Sequence, residues 1–286
     1  MRNRKHFSHL IEINLAMLFI STSGALARYI TLPVPAIIGL RALLALVLLV
    51  GYCQYKGISL SIDKKHVLAI LTSGLLMGLH WMTYFYALKL SNVAIGMLSL
   101  FTYPILTAFL EPILLKTKLQ KIHVLLGLLV LLGIYFLVPS FDLENKYTLA
   151  VVIGIFSAFC YALRNIILKT KVAAYNGSML MCYQMAVVGF LFCPMLYNVT
   201  IESIYQQWES IAALAIITTA LGHTLFLNSF THFSITTVSI LSSVQPIFGI
   251  LIGAALLNEI PTLNTLIGGF LILSSVVIES IRSAKK

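Results

Sequence analysis

The chain has 286 residues, of which 59% are hydrophobic and only 10% charged, with a formal net charge of +10 and a mean hydropathy of +0.98. Soluble domains carry about 25% charged residues because a folded surface must face water. The composition therefore excludes a cytosolic enzyme and a disordered chain. The basic residues are scattered through short connections without a continuous patch, which also excludes nucleic acid as a partner. An all-α integral membrane protein is expected.

A bilayer span takes about 20 mostly apolar residues. Breaking the chain at proline, glycine and charge clusters predicts ten transmembrane helices, at 10–30, 35–55, 66–88, 92–115, 122–139, 148–169, 177–198, 210–230, 234–257 and 262–281. The breaks are short, as in Leu32-Pro33-Val34-Pro35, so successive helices must run antiparallel, with no soluble domain between them. Arg2, Arg4 and Lys5 followed by an apolar run imitate a signal peptide, but Glu12 and Asn14 interrupt that run. Its retention as the first span is expected.

Positive charge sets the orientation. With the N-terminus in the cytoplasm, fourteen Lys and Arg residues fall on that side and only Arg28, Lys89 and Lys146 on the other. Both termini are thus expected in the cytoplasm, the chain being a multi-pass protein of the cell (inner) membrane. Cys53, Cys160, Cys182 and Cys193 stand singly within apolar stretches and read as small buried hydrophobes.

An offset of 142 residues superposes Pro104 on Pro246 and Gly127 on Gly269. Such a shared offset indicates duplication, with repeats at 1–140 and 147–286. Five helices is an odd number, so the repeats must be inverted, a plan of secondary transporters that puts the solute site near the midplane between the halves.

The ordered set of Pro35 with Arg41, Ala87-Leu88 ahead of a span with central Pro104, Gly127 and Gly133, then Ser242-Ser243-Val244-Gln245-Pro246 with Glu259 thirteen residues on, and Gly268-Gly269, resembles the EamA branch of the drug/metabolite transporter superfamily. The likeness covers nearly the whole chain. It implies ten helices, export or uptake of small metabolites, and no tightly bound cofactor. One departure is Thr117, which stands in the first half where Glu259 stands in the second; an acid appears six residues earlier, as Glu111.

Charges within hydrocarbon are costly and are functional candidates by default. Arg41 lies six residues into the second span, roughly 9 Å deep at about 1.5 Å per residue. Its fork could grip a carboxylate or phosphate, or it could snorkel or satisfy carbonyls of a neighbouring helix. Glu111, near the cytoplasmic end of the fourth span, either binds a coupling proton or forms a fixed ion pair with Arg164 or Lys116. His80 and His223, near the midplanes of the third and eighth spans, are pseudo-equivalent within one residue. Each serves as an interhelical hydrogen-bonding residue or as a cavity ligand. Trp81 and Tyr84 could form an aromatic wall or anchor at the interface. Asn14, Ser21 and Arg28 recur at a spacing of seven and form an inward polar stripe. Ser239, Ser242, Ser243, Pro246, Gly249 and Gly253 form a small-residue face that either packs or, through Ser243, meets solute. Pro104 and Pro246 each remove an amide in mid-span, where paired kinks would serve gating.

An ATP-driven pump is excluded by the lack of a Gly-x-x-x-x-Gly-Lys-Ser/Thr loop. An enzyme is disfavoured because the chain has no His-Glu-x-x-His or Gly-x-Ser-x-Gly motif, and its two central histidines, His80 and His223, stand 143 residues apart without acidic companions, so that no metal ligand is assigned from sequence. The expected function is secondary transport of a small organic metabolite by alternating access, foremost export of an amino acid or related compound. The alternatives are a carrier of nucleosides, nucleotide derivatives or sugars, and a channel or structural membrane protein. The expected partners are a small-molecule solute, with proton coupling as one option, the bilayer, and a second copy of the chain as an optional one.

Overall fold

The computed structural model describes residues 2–116, 119–140, 142–169, 171, 174–233, 238 and 241–284, with the side chains of all of these but 2–8, 230, 279, 280, 283 and 284. Thr117, Lys118, Ser239, Lys285 and Lys286 lie outside the described residues, as do the side chains of Arg2, Arg4 and Lys5. Among the described residues all regular structure is helical. The order is α1 (Arg2–Tyr29), α2 (Val34–Tyr55), α3 (Lys64–Leu90), α4 (Val93–Leu100), α5 (Tyr103–Leu115), α6 (Lys121–Leu137), α7 (Lys146–Lys169) and α8 (Gly177–Phe192). A 3-10 turn (Cys193–Asn198) leads to the short α9 (Ile201–Tyr205) and α10 (Trp208–Ala213). A π segment (Leu214–His223) then continues into α11 (Thr224–His232), followed by α12 (Gln245–Leu257) and α13 (Leu263–Ala284).

Among the described residues, seven stretches are long and apolar enough to cross a membrane: His9–Tyr29, Val34–Tyr55, Lys64–Leu90, Val93–Leu115, Lys146–Lys169, Gly177–Asn198 and Trp208–Ser229. Three shorter apolar helices, Lys121–Leu137, Gln245–Leu257 and Leu263–Ile278, overlie the spans expected at 122–139, 234–257 and 262–281. The second of these expected spans runs partly outside the described residues.

Local chemistry sets the helix ends. Asp63 starts α3 by accepting the Lys65 amide, Asn92 starts α4 by accepting that of Ile95, and Asn176 starts α8 by accepting that of Ser178. α5 and α12 end at Lys116 and Asn258, both left-handed, with φ of 54° and 55°. The prolines differ from expectation. Pro104 and Pro246 do not bend continuous helices; each sits in the first turn of a new one, α5 and α12. A ring that lacks an amide proton is tolerated there because that amide has no helical partner anyway. The chain therefore breaks at Phe101-Thr102 before α5, and Leu106 N–H and Phe248 N–H bond Thr102 O and Val244 O, both at 3.1 Å.

The bundle is held by close helix crossings. α3 lies along α7, α2 along α8, α6 along α13, and α1 against α12 and the π segment. Small residues permit these contacts. A side chain on Gly154 of α7 would meet Ser99 Cβ of α4 at 2.5 Å, and one on Gly268 of α13 would meet Gly133 O of α6 at 2.7 Å. Gly249 and Gly253 lie against Met97 and Val93 of α4, so those members of the small-residue face pack. Three of the four cysteines are buried as expected, whereas Cys193 is exposed. The polar stripe on α1 holds for Ser21 and Arg28 but not for Asn14, which is exposed and bonds its own helix at Leu10 O, 2.8 Å away.

Candidate functional site

The site begins where α2 meets the π segment. In a π turn the backbone bonds reach back five residues rather than four, which displaces the side chains by one position. Thr219 is placed this way: its hydroxyl donates to Leu214 O at 2.9 Å. The same oxygen accepts from Arg41 Nε at 3.1 Å and from Nη2 at 2.8 Å. The guanidinium carbon lies 3.7 Å from the ring centroid of Trp81 and 5.4 Å from that of Phe85, both on α3. Arg41 is 0% exposed, and its Nη1 has no hydrogen-bond partner. Of the two structural roles weighed for Arg41, snorkelling is overturned by this burial. Bonding to a neighbouring helix does occur, but to a hydroxyl rather than a carbonyl, and it leaves one nitrogen over.

Beside it, Ser157 of α7 bridges to α3. Its hydroxyl donates to His80 O at 2.9 Å and lies 2.7 Å from His80 Nδ1. With that single proton on the carbonyl, the Nδ1 contact is a hydrogen bond in the Nδ1-protonated tautomer, which leaves Nε2 as an acceptor. His80 stacks on Tyr84 at 5.9 Å between centroids and lies tilted by 33° against Tyr161 at 4.6 Å. His223 ends the π segment 5.6 Å from Trp81, and its Nδ1 is buried without a partner. Interhelical bonding, one of the two expectations for these histidines, thus holds for His80 and not for His223 Nδ1.

These side chains enclose a cavity of about 20 Å³, lined by Arg41, His80, Trp81, Tyr84, Tyr161, His223 and Gln245 among others. None of its lining residues is acidic. A space of this size holds about one water molecule, so an organic solute requires the ring cluster to part. Five of the expected site residues, Arg41, His80, Trp81, Tyr84 and His223, come together here. Ser243 does not line the cavity; it sits in the turn before α12, and its place is taken by Gln245.

Two sequence expectations are corrected. Glu111 does not pair with Arg164. The Arg164 side chain points into the bundle, where Nε and Nη2 donate to Gln184 Oε1 at 3.0 and 2.7 Å and Nη1 donates to Asn165 Oδ1 at 3.0 Å. Glu111, at the half-exposed end of α5, instead pairs with Lys169 in the last turn of α7. Further, one face of Trp81, expected as part of an aromatic wall for a flat or cationic solute, is occupied by Arg41.

The end of the bundle where α1 terminates is closed by charge. Arg28 Nε donates to Glu259 Oε1 at 2.8 Å, and Nη1 reaches Leu88 O and Lys89 O at the end of α3. Glu259 Oε2 accepts the Val93 amide at 2.7 Å, at the start of α4. Lys89 Nζ donates to Ile30 O. One carboxylate thus joins α1, α4 and the end of α12.

Thr219, Tyr161 and Ser157 were not singled out from sequence, and Gln245 entered only within the Ser242–Pro246 run and not as a site residue. Gln245 carried a signal, since an amide beside a proline at membrane depth is costly unless used. The others had none, because a lone hydroxyl within a helix is ordinary.

The model of the EamA-like transporter family matches residues 9–138 and again residues 148–281. The chain belongs to the EamA-like transporter family. It is similar to the pseudopaline exporter CntI of Pseudomonas aeruginosa, in strains PAO1 and UCBPP-PA14, at 23% identity over 248 residues, covering 86% of each chain. A solved crystal structure shares the fold at a TM-score of 0.71 and 16% identity, covering 97% of this chain and 98% of that one. The chain is accordingly a multi-pass, all-helical membrane transporter.

Proposed function

We propose that this transporter is a secondary carrier that exports a small carboxylate-bearing metabolite, an amino acid or a related compound, by alternating access through the cavity around Arg41. The observation that carries the reading is the fully buried guanidinium with Nη1 unpartnered in a cavity without an acidic lining residue. A buried cation without a counter-charge is costly, and an anionic solute offers both charge and acceptor oxygens to relieve that cost. An uncharged nucleoside or sugar offers no such relief.

The membrane arrangement in this proposal has ten helices in two inverted repeats, 1–140 and 147–286, in the inner membrane with both termini cytoplasmic. Support comes from the two successive family matches and from the shared offset of α5 with α12, 142 residues apart in start, proline and end. Inverted halves give inward- and outward-open forms of similar energy. In this geometry the Arg28–Glu259 cluster closes the outer end.

The test is overexpression in cells, with comparison of metabolites inside and outside against an Arg41→Ala control. Depletion of a carboxylate-bearing solute from cells carrying the wild type alone supports the reading. A metabolite profile indifferent to Arg41, or one altered only in solutes that lack a carboxylate, overturns it.

A further inference from the structure

At the opposite end of α1 from the Arg28–Glu259 cluster, three side chains meet that the transport reading does not use. His9 and Glu12 lie one turn apart on α1, with His9 Nδ1 3.3 Å from Glu12 Oε2. His232, the last residue of α11, stacks on His9 with ring centroids 3.7 Å apart and planes within 15°. One ligand-competent atom from each of the three lies within 4.8 Å of the other two. We propose that His9, Glu12 and His232 form a site for a divalent transition-metal ion that staples α1 to α11.

Four observations converge. Two imidazoles and a carboxylate are the donor set that protein sites present to zinc and its neighbours, with one or more positions open to water. Bonds of about 2.0–2.2 Å place tetrahedral ligand atoms roughly 3.3–3.6 Å apart, and the candidate atoms already lie within 4.8 Å of one another, so modest side-chain movement would bring them to that geometry. The ligand side chains on α1 are partly open, 29% exposed for His9 and 45% for Glu12, which provides an entry path. The ligands come from both halves of the chain, so a bound ion joins elements that the backbone connects only through more than two hundred residues. A site of this kind holds its end of the bundle together and slows any opening there.

The experiment uses the full-length protein in detergent, with any affinity tag removed, titrated with Co2+ and followed by its visible d–d absorption. The comparison proteins are His9→Gln, Glu12→Gln and His232→Asn, all at solvent-accessible positions, each checked for an unchanged size-exclusion profile. One saturable equivalent of Co2+ per chain is expected for the wild type, displaced by Zn2+, with affinity lowered about 10- to 100-fold or more in each variant. Zn2+ should also raise the Tm of the wild type and not that of His232→Asn. Absence of a saturable band, or equal binding by wild type and all three variants, overturns the site. A Tm that zinc leaves unchanged in a wild type that binds it overturns the staple. These readouts need no knowledge of the transported solute, so they stand or fall apart from the transport reading.

Discussion

Replacing Arg41 by lysine separates its charge from its shape. The arginine uses two nitrogens on Thr219, at 3.1 and 2.8 Å, rests on Trp81 at 3.7 Å, and has a third nitrogen over for solute. A lysine has one nitrogen for all three tasks. If it stays with Thr219, the solute loses a charge-assisted hydrogen bond, about 1.5–3 kcal/mol, which is roughly 10- to 150-fold at 1.4 kcal/mol per factor of ten. The lost contact with the Trp81 face costs folding stability on the order of 0.5–2 kcal/mol, so the variant should still insert and remain folded. The assay is counterflow in proteoliposomes with the solute found by metabolite comparison, together with thermal melting in detergent. Transport efficiency should fall by the stated factor for Arg41→Lys and be abolished for Arg41→Ala, while Tm drops modestly. Full transport by Arg41→Ala would refute the reasoning and return Arg41 to a purely structural role.

Other predictions follow from neighbouring contacts. Thr219→Val leaves both Arg41 donors without their acceptor and should lower stability by about 1–3 kcal/mol, seen as a reduced Tm, with transport falling although solute need not touch Thr219. Glu259→Gln keeps an acceptor for the Val93 amide but removes the charge paired with Arg28; a loss of about 1–2 kcal/mol is expected, and unchanged melting would show that the pair contributes nothing. Glu111→Gln should change Tm little, since its pair with Lys169 is about one-third exposed and such pairs contribute about 0.2–1 kcal/mol. Complete loss of transport in that folded variant would instead favour a proton-coupling role. Gly154→Leu drives a side chain into Ser99 and should destabilise by about 1–3 kcal/mol, measured by melting or by yield of folded protein.

Much of the fold was legible because a bilayer leaves helices few alternatives. Apolar segments, their breaks and their short connections could be read directly, and Arg41, His80, Trp81, Tyr84 and His223 were recognisable as polar or aromatic residues at membrane depth. Partner choice was not legible. Whether Glu111 meets Arg164 or Lys169 depends on how α5 and α7 cross, and a helix advances about 100° per residue, so five residues decide which cation faces which helix. The π register at Leu214–His223 leaves no periodic trace, because it adds a single residue to a run of apolar side chains. Proline was read correctly as an interruption but wrongly as a bend, since the sequence does not reveal whether the helix restarts.

The wide turn that presents Thr219 to Arg41 also has a mechanical consequence. A surplus residue in a helix can migrate along it, converting a local loosening into a swivel of everything beyond. Tightening Leu214–His223 into ordinary winding would carry Thr219 away from the guanidinium and turn His223 relative to Trp81 in a single slip. A change of winding in this segment would thus move the clasp on the cation and the neighbouring imidazole together.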